Sequence, residues 1–171
     1  MMKWLFGAAV VIAVIIALIA LIGARLPRSH SATREARFDV APEAIWDVIT
    51  GVDAFPSWRA DVKQVERVPD INGQVAWVEE GSSGRVTLAV ERREPPRLLV
   101  IRIADPSLPF GGTWTYELTP SAGGTTLAIT ENGEVYNPLF RFMARYVFGH
   151  EGTINAYMAS LKKKLESNRG I

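Results

Sequence analysis

Two carboxylates, Glu79 and Glu131, carry the clearest chemical potential in this sequence. Each sits in a strand-length run in step with apolar neighbours, Val75 and Trp77 for the first, Leu127 and Ile129 for the second. Strand side chains alternate between faces, so both acids fall on the apolar, inward side. An inward carboxylate must be paired, protonated or near water. So placed, it could orient a ligand hydroxyl or serve as a general base with a raised pKa. The plainer alternative is a one-residue slip or a bulge that turns each acid to solvent. Arg102 could neutralise one of them, but its parity with Ile101 and Ile103 puts it outside.

His150 is the remaining candidate for proton transfer. It lies beside Gly149 and Gly152, and a glycine costs about 1 kcal/mol in a helix relative to alanine. A bend or close approach is expected there, with His150 at a cavity rim or in a plain turn. His30 is assigned to a linker. That leaves one histidine in the folded part, too few for the usual two-histidine zinc site. With no cysteine in the chain there is no disulfide framework, thiolate nucleophile or cysteine metal site. HExxH, GxSxG, phosphate-loop and dinucleotide motifs are missing, so no cofactor is expected and hydrolase, NTPase and dehydrogenase chemistry has no support.

The other inward positions are apolar and aromatic. They are Trp77, Leu88 between Val86 and Val90, Ile101 between Leu99 and Ile103, Trp114 and Tyr116 in line with Leu118, and Ile129. Together with Trp58 and, from the last helix, Phe142, Tyr146 and His150, they form the candidate lining of a small-molecule cavity. The competing expectation is that these side chains simply fill the space.

Such side chains need a surface to stand on and an element to face. Residues 137–166 read as one long helix, with apolar residues at Leu139, Phe142, Met143, Tyr146, Ile154, Tyr157, Met158, Leu161 and Leu165, the spacing of a single helical stripe. Asn137 can cap its start, Pro138 suits its first position, and Lys162, Lys163 and Lys164 suit its negative end. Strands are expected over 34–40, 61–67, 74–80, 85–93, 97–104, 113–119 and 125–133, with short helices over 42–50 and 52–58. Asn72-Gly73 is a hairpin signal, and the short connections imply antiparallel pairing throughout. The loop DPSLPFGG at 105–112, with Leu108 and Phe110, is either a gate or a plain connection.

Residues 4–22 contain no charged or strongly polar side chain, and their length matches the roughly 20 residues that cross hydrocarbon as a helix. A cleaved signal is the rival, but its apolar region runs about 7–15 residues and no small-x-small site follows. The expected organisation is an anchor helix over 1–24, a linker over 25–33 containing Pro27, and one domain over 34–168. A linker of about ten extended residues reaches at most about 35 Å, which tethers the domain close to the bilayer. Arg25, Arg28, Arg34 and Arg37 outnumber Lys3 across the span, which favours a single-pass protein with a cytoplasmic domain. Of the 19 Lys and Arg only Lys3 precedes residue 24, and all 18 Asp and Glu follow it, so the domain side is formally neutral. Nucleic acid, which needs a concentrated basic face, is not an expected partner.

The order of strand, two short helices, a run of strands and a long helix, together with FDVAPEAIWDVI at 38–49 and FPSWR at 55–59, resembles the SRPBCC superfamily. These are START-like or helix-grip domains that include polyketide cyclase/dehydrase and lipid-transport proteins. The resemblance implies an α+β helix-grip fold, in which a curved antiparallel sheet wraps a long C-terminal helix. It also implies a hollow interior for a lipid-like or other hydrophobic small molecule. A membrane-anchored binding domain is therefore the expectation. The alternatives are a cyclase- or dehydratase-type enzyme using a cavity carboxylate or histidine, and a protein-interaction module with a full core. Fold alone does not choose among them.

Overall fold

The computed structural model describes residues 2–148 and 152–169. The chain opens with α1 (Met2–Arg25), followed by β1 (Ser29–Phe38), α2 (Pro42–Thr50) and a 3-10 turn (Val52–Ser57). Six strands follow, β2 (Val62–Ile71), β3 (Gln74–Gly81), β4 (Gly84–Glu94), β5 (Leu98–Ile103), β6 (Phe110–Ser121) and β7 (Gly124–Val135). The chain then forms α3 (Pro138–Met143), which runs into a π-helical turn (Ala144–Phe148), and ends in α4 (Gly152–Arg169). The strands make one curved antiparallel sheet in the order β1-β7-β6-β5-β4-β3-β2, and α4 lies in its concave face.

Local signals explain most of this. Pro42 stands at the start of α2, where its missing N–H costs nothing, and Ile45, Trp46 and Ile49 form the buried side of that helix. Asn72 (φ 54°) and Gly73 (φ 73°) both adopt left-handed conformations, the geometry of the two-residue hairpin turn that sets the β2–β3 register. On α4, Ile154, Tyr157, Met158, Leu161 and Leu165 are buried in one cluster with Phe38, Ile45, Leu118, Leu127 and Ile129. Each such side chain contributes roughly 1.5–3 kcal/mol on leaving water.

Three boundaries differ from expectation. Within the long helix expected over 137–166, α3 passes at Ala144 into a π-helical turn that runs to Phe148, and α4 begins at Gly152, with residues 149–151 outside the described residues. Asn137 does cap α3, its Oδ1 accepting from the Leu139 and Phe140 amides. β1 begins at Ser29 instead of residue 34, so Leu26, Pro27 and Arg28 alone connect it to α1. Residues 29–33 lack a strand pattern of their own. They are strand because β7 offers ladder partners, Ser29 opposite Glu134 and Thr33 opposite Thr130. Likewise β6 starts at Phe110, opposite Val135, which absorbs the second half of the expected loop.

The register sorts the connections into two ends. The β3–β4 turn, residues 104–109, the start of β1 and the end of β7 lie at one end. Asn72-Gly73, the β4–β5 turn and the β6–β7 turn lie at the other. Both α1 and α3 join the sheet at the first end. There α1 is long and apolar enough to cross a membrane over Trp4–Arg25.

Candidate functional site

Between the sheet and α4 lies a cavity of about 320 Å³. Its apolar wall comes from alternate residues of β3 to β6, namely Trp77, Val86, Leu88, Ile101, Ile103, Phe110 and Trp114. Arg59, Asp61, Gly81, Ser83 and Gly84 border one side, His30, Gly133, Glu134 and Val135 the other, and Tyr116 and Tyr157 stand behind. Nearly all the border residues belong to the end of the sheet that α1 and α3 join, so the cavity opens at that end.

One polar cluster is built around Arg59. The 3-10 turn delivers it just before β2, and Asp61 holds it by two hydrogen bonds, Nη2–Oδ2 at 2.6 Å and Nε–Oδ1 at 3.4 Å. Its Nη1 donates to Glu79 Oε1 at 3.0 Å, and Trp77 Nε1 donates to the same oxygen at 3.0 Å. The guanidinium also lies 5.0 Å from the Phe55 ring centre and 5.3 Å from that of Tyr157, close enough for cation–π attraction. Burial opposes the charge on Arg59, but the Asp61 hydrogen bond and the field of Glu79 outweigh it and raise its pKa further. Glu79 is thus inward and paired. Its partner is Arg59, not Arg102, and an oxygen committed to two donors is a structural acid.

Tyr157 organises the aromatic floor. Its ring centre lies 5.5 Å from Trp58, 5.7 Å from Trp114 and 5.7 Å from Tyr116, with the steep angles that aromatic quadrupoles favour. The Tyr116 and Tyr157 side chains are both buried. Burial pushes both phenols above their ordinary range, so both stay neutral donors at any ordinary pH.

The second polar group was hidden in the expected linker. His30 stands on β1 with its Nε2 3.4 Å from Glu131 Oε1. Gly133 makes room for the ring, since a β-carbon there would overlap the imidazole. Burial of the ring lowers the His30 pKa, so the imidazole is neutral at pH 7, and the long contact to Glu131 does not reverse this.

Of the residues singled out from the sequence, Trp77, Glu79, Leu88, Ile101, Trp114, Tyr116 and Glu131 stand on the cavity wall. Ile129 is fully buried in the core. Trp58 is half-buried against Phe55 and Tyr157, off the wall. Phe142 and Tyr146 lie elsewhere, 4.9 Å apart on α3 and its π turn, with Tyr146 exposed. They follow α3, which packs mainly on α1 and meets the sheet only at β7. His150 lies outside the described residues. Sequence reasoning missed His30 and Arg59, and it placed Phe110 in the gating loop and Tyr157 on the apolar stripe of the last helix without assigning either to the lining. The proline turn before Arg59 and the Gly133 opposite His30 were the available signals.

Among the described lining residues Arg59 is the one Lys or Arg, against four carboxylates, Asp61, Glu79, Glu131 and Glu134. No group of three or more possible metal ligands occurs among the described residues.

Solved structures share this architecture at low identity. The chain superposes on a START superfamily protein from Mycobacterium smegmatis with a TM-score of 0.63 and 15% identity, covering 81% of this chain and 98% of that one. For norcoclaurine synthase from Thalictrum flavum the TM-score is 0.63 at 11% identity, over 85% and 90% of the two chains. For StfQ, a di-domain aromatase/cyclase of the steffimycin biosynthetic pathway, it is 0.65 at 14% identity, and the chain spans only 52% of that protein's length. Identities this low speak for the fold alone. None of the curated proteins matches the sequence. The family model described as "polyketide cyclase / dehydrase and lipid transport" matches residues 29–166. With a match over most of its length, seven antiparallel strands and a gripped C-terminal helix, this chain belongs to that family.

Proposed function

We propose that this domain binds a hydrophobic small molecule in its cavity without covalent chemistry, in a protein that α1 anchors in a membrane. The carrying observation is the space itself. Its volume of about 320 Å³ falls within the ~300–1,000 Å³ of small-molecule sites, and its walls are apolar and aromatic as such sites require. Arg25, Arg28, Arg34 and Arg37 after the span favour a cytoplasmic domain.

The charges lining the cavity narrow the ligand. The guanidinium of Arg59 is already held by Asp61 and Glu79, so it offers no cation to an anionic head. A carboxylate or phosphate entering beside four acids meets like charge, whereas a hydroxyl or amine meets acceptors. The reading is therefore an apolar molecule with a neutral or cationic hydrogen-bonding end. To test it, purify the full chain in detergent, extract it with organic solvent and identify bound molecules by mass spectrometry. Then titrate decanol, decylamine and decanoate as competitors of Nile red. Decanol and decylamine are expected to displace the dye at least tenfold more effectively than decanoate. An extract without small molecules and a protein that does not bind Nile red would sink the reading.

A second reading, a cyclase- or dehydratase-type enzyme, draws support from His30 and Glu131. A neutral imidazole 3.4 Å from a carboxylate at a cavity wall is a competent acid–base pair. In that case an extracted ligand incubated with the protein changes mass, and His30→Gln abolishes the change while leaving binding intact.

A further inference from the structure

The C-terminal end of α1 is fastened to α3. Gly23 lies so close to Pro138 that a β-carbon at 23 would overlap the Pro138 carbonyl. Arg141 of α3 is 7% exposed, and its Nη1 donates to Leu26 O at 3.0 Å and Ala24 O at 3.5 Å, while Nη2 reaches Tyr136 O at 3.3 Å. A cation thus covers the last carbonyls of α1, where the helix dipole is negative. These contacts fix α3 beside the final turn of α1, one turn past Ile22, where the apolar run ends.

What α3 and its flanks leave uncovered is apolar. Tyr136, Leu139, Phe140 and Tyr146 are all exposed, Phe140 by 53% and Tyr146 by 59%. They stand on and beside the helix that packs on α1, where Leu18, Leu21 and Ile22 are also exposed. Arg25, Arg28 and Arg145 are exposed around them. Aromatic residues beside basic ones at the end of an apolar helix match the chemistry of a bilayer's interface. The same end of the sheet carries the cavity mouth, bordered by His30, Phe110, Gly111 and Val135, and a β-carbon at Gly111 would overlap the Tyr136 hydroxyl.

We propose that the face formed by Tyr136, Leu139, Phe140 and Tyr146 docks on the lipid bilayer and holds the cavity mouth against it, so that a ligand passes between membrane and cavity without crossing bulk water. The proposal rests on α1 spanning a membrane. Given that span, α3 is positioned by packing and not by a flexible tether, because only Leu26, Pro27 and Arg28 separate α1 from β1.

The chain contains no cysteine, so single-cysteine variants of the full-length protein report position cleanly. Val10→Cys, Phe140→Cys, Leu108→Cys and Asn72→Cys would each be labelled with a polarity-sensitive fluorophore and reconstituted in phosphatidylcholine vesicles with brominated acyl chains. Position 10 lies within the span, 140 on the docking face, 108 in the loop at the mouth, and 72 at the far end of the sheet. The expected result is strong quenching at 10, clear quenching at 140 and 108, and none at 72. Quenching at 10 with 140 indistinguishable from 72 overturns the docking, because the span is then present and the face still wet. Quenching at 140 without 108 overturns the orientation of the mouth. A label at 10 that stays unquenched removes the membrane span and the docking with it.

Discussion

Arg59 Nη1 and Glu79 Oε1 stand 3.0 Å apart across the mouth of the cavity, and both side chains are largely buried. The pair joins the turn after α2 to the middle of β3, and through Trp77, which donates to the same oxygen, it fixes the ring that forms part of the apolar wall. A buried pair of this kind contributes little net stability while intact, because desolvation offsets attraction, but removing one partner strands the other. Arg59→Met is therefore expected to destabilise the domain by about 3–5 kcal/mol in urea unfolding. The double variant Arg59→Met with Glu79→Leu should recover most of that loss. A double variant as unstable as the single would show that packing of the Arg59 stem, and not its charge, matters.

Much of this arrangement was legible because β-sheets encode their faces locally. Trp77 and Glu79, Leu88, Ile101, Trp114 and Tyr116 follow from alternation between turn signals, and their strands pair with neighbours a few residues away. The misread parts depend on distant partners. His30 looks like linker because nothing in its own stretch alternates in hydrophobicity, and only the pairing of His30 with Gly133 makes it strand. The stripe through 139–146 fits a helix, but periodicity does not say which surface a helix faces. Here α3 turns to α1, so Phe142 and Tyr146 leave the cavity. Arg59 sits in an irregular turn with no period to read.

Filling the cavity should separate binding from folding. Ile103 lies on the wall near the mouth, so Ile103→Trp replaces empty space with an indole. Overpacking costs typically 1–3 kcal/mol in a full core, and here the vacant volume should hold the loss to the lower end of that range. Binding of Nile red is expected to weaken at least tenfold, with the circular dichroism spectrum preserved. Unchanged binding in a folded variant would place the guest elsewhere.

His30 gives the domain a pH dependence with a definite sign. Its folded pKa is lowered by burial from the ordinary 6.5, so between the two values the unfolded chain binds a proton that the folded chain does not. Stability rises with pH wherever the unfolded state holds more protons. The His30 contribution is therefore complete above about pH 6.5 and is lost as the pH falls through the folded value. The shifted acids Asp53, Glu94 and Asp105 are all lowered, so they titrate below this window. Melting temperatures taken from pH 7.5 down to pH 5 should decline in the native sequence and decline less in His30→Asn. Parallel curves would mean that His30 titrates alike in both states.

Arg141 should control how firmly α1 is joined to the domain. Its guanidinium serves the carbonyls of Ala24, Leu26 and Tyr136 at once, and an alanine there removes these part-buried hydrogen bonds, at roughly 0.5–1.5 kcal/mol for each one not replaced by water. That loss falls on the short connection and not on the core, whose cluster of sheet, α2 and α4 residues includes none from α1 or α3. Trypsin cuts after Arg25 and Arg28, which flank the connection, and the Arg28 carbonyl is otherwise held by the Val135 amide at 2.8 Å. Arg141→Ala is thus expected to speed release of the domain by trypsin severalfold while leaving its thermal transition nearly unchanged. Arg141→Lys, with a single point charge in place of a planar fork, should fall between the two. Equal cleavage rates in all three proteins would show that close packing of Gly23 on Pro138 secures the joint without the arginine.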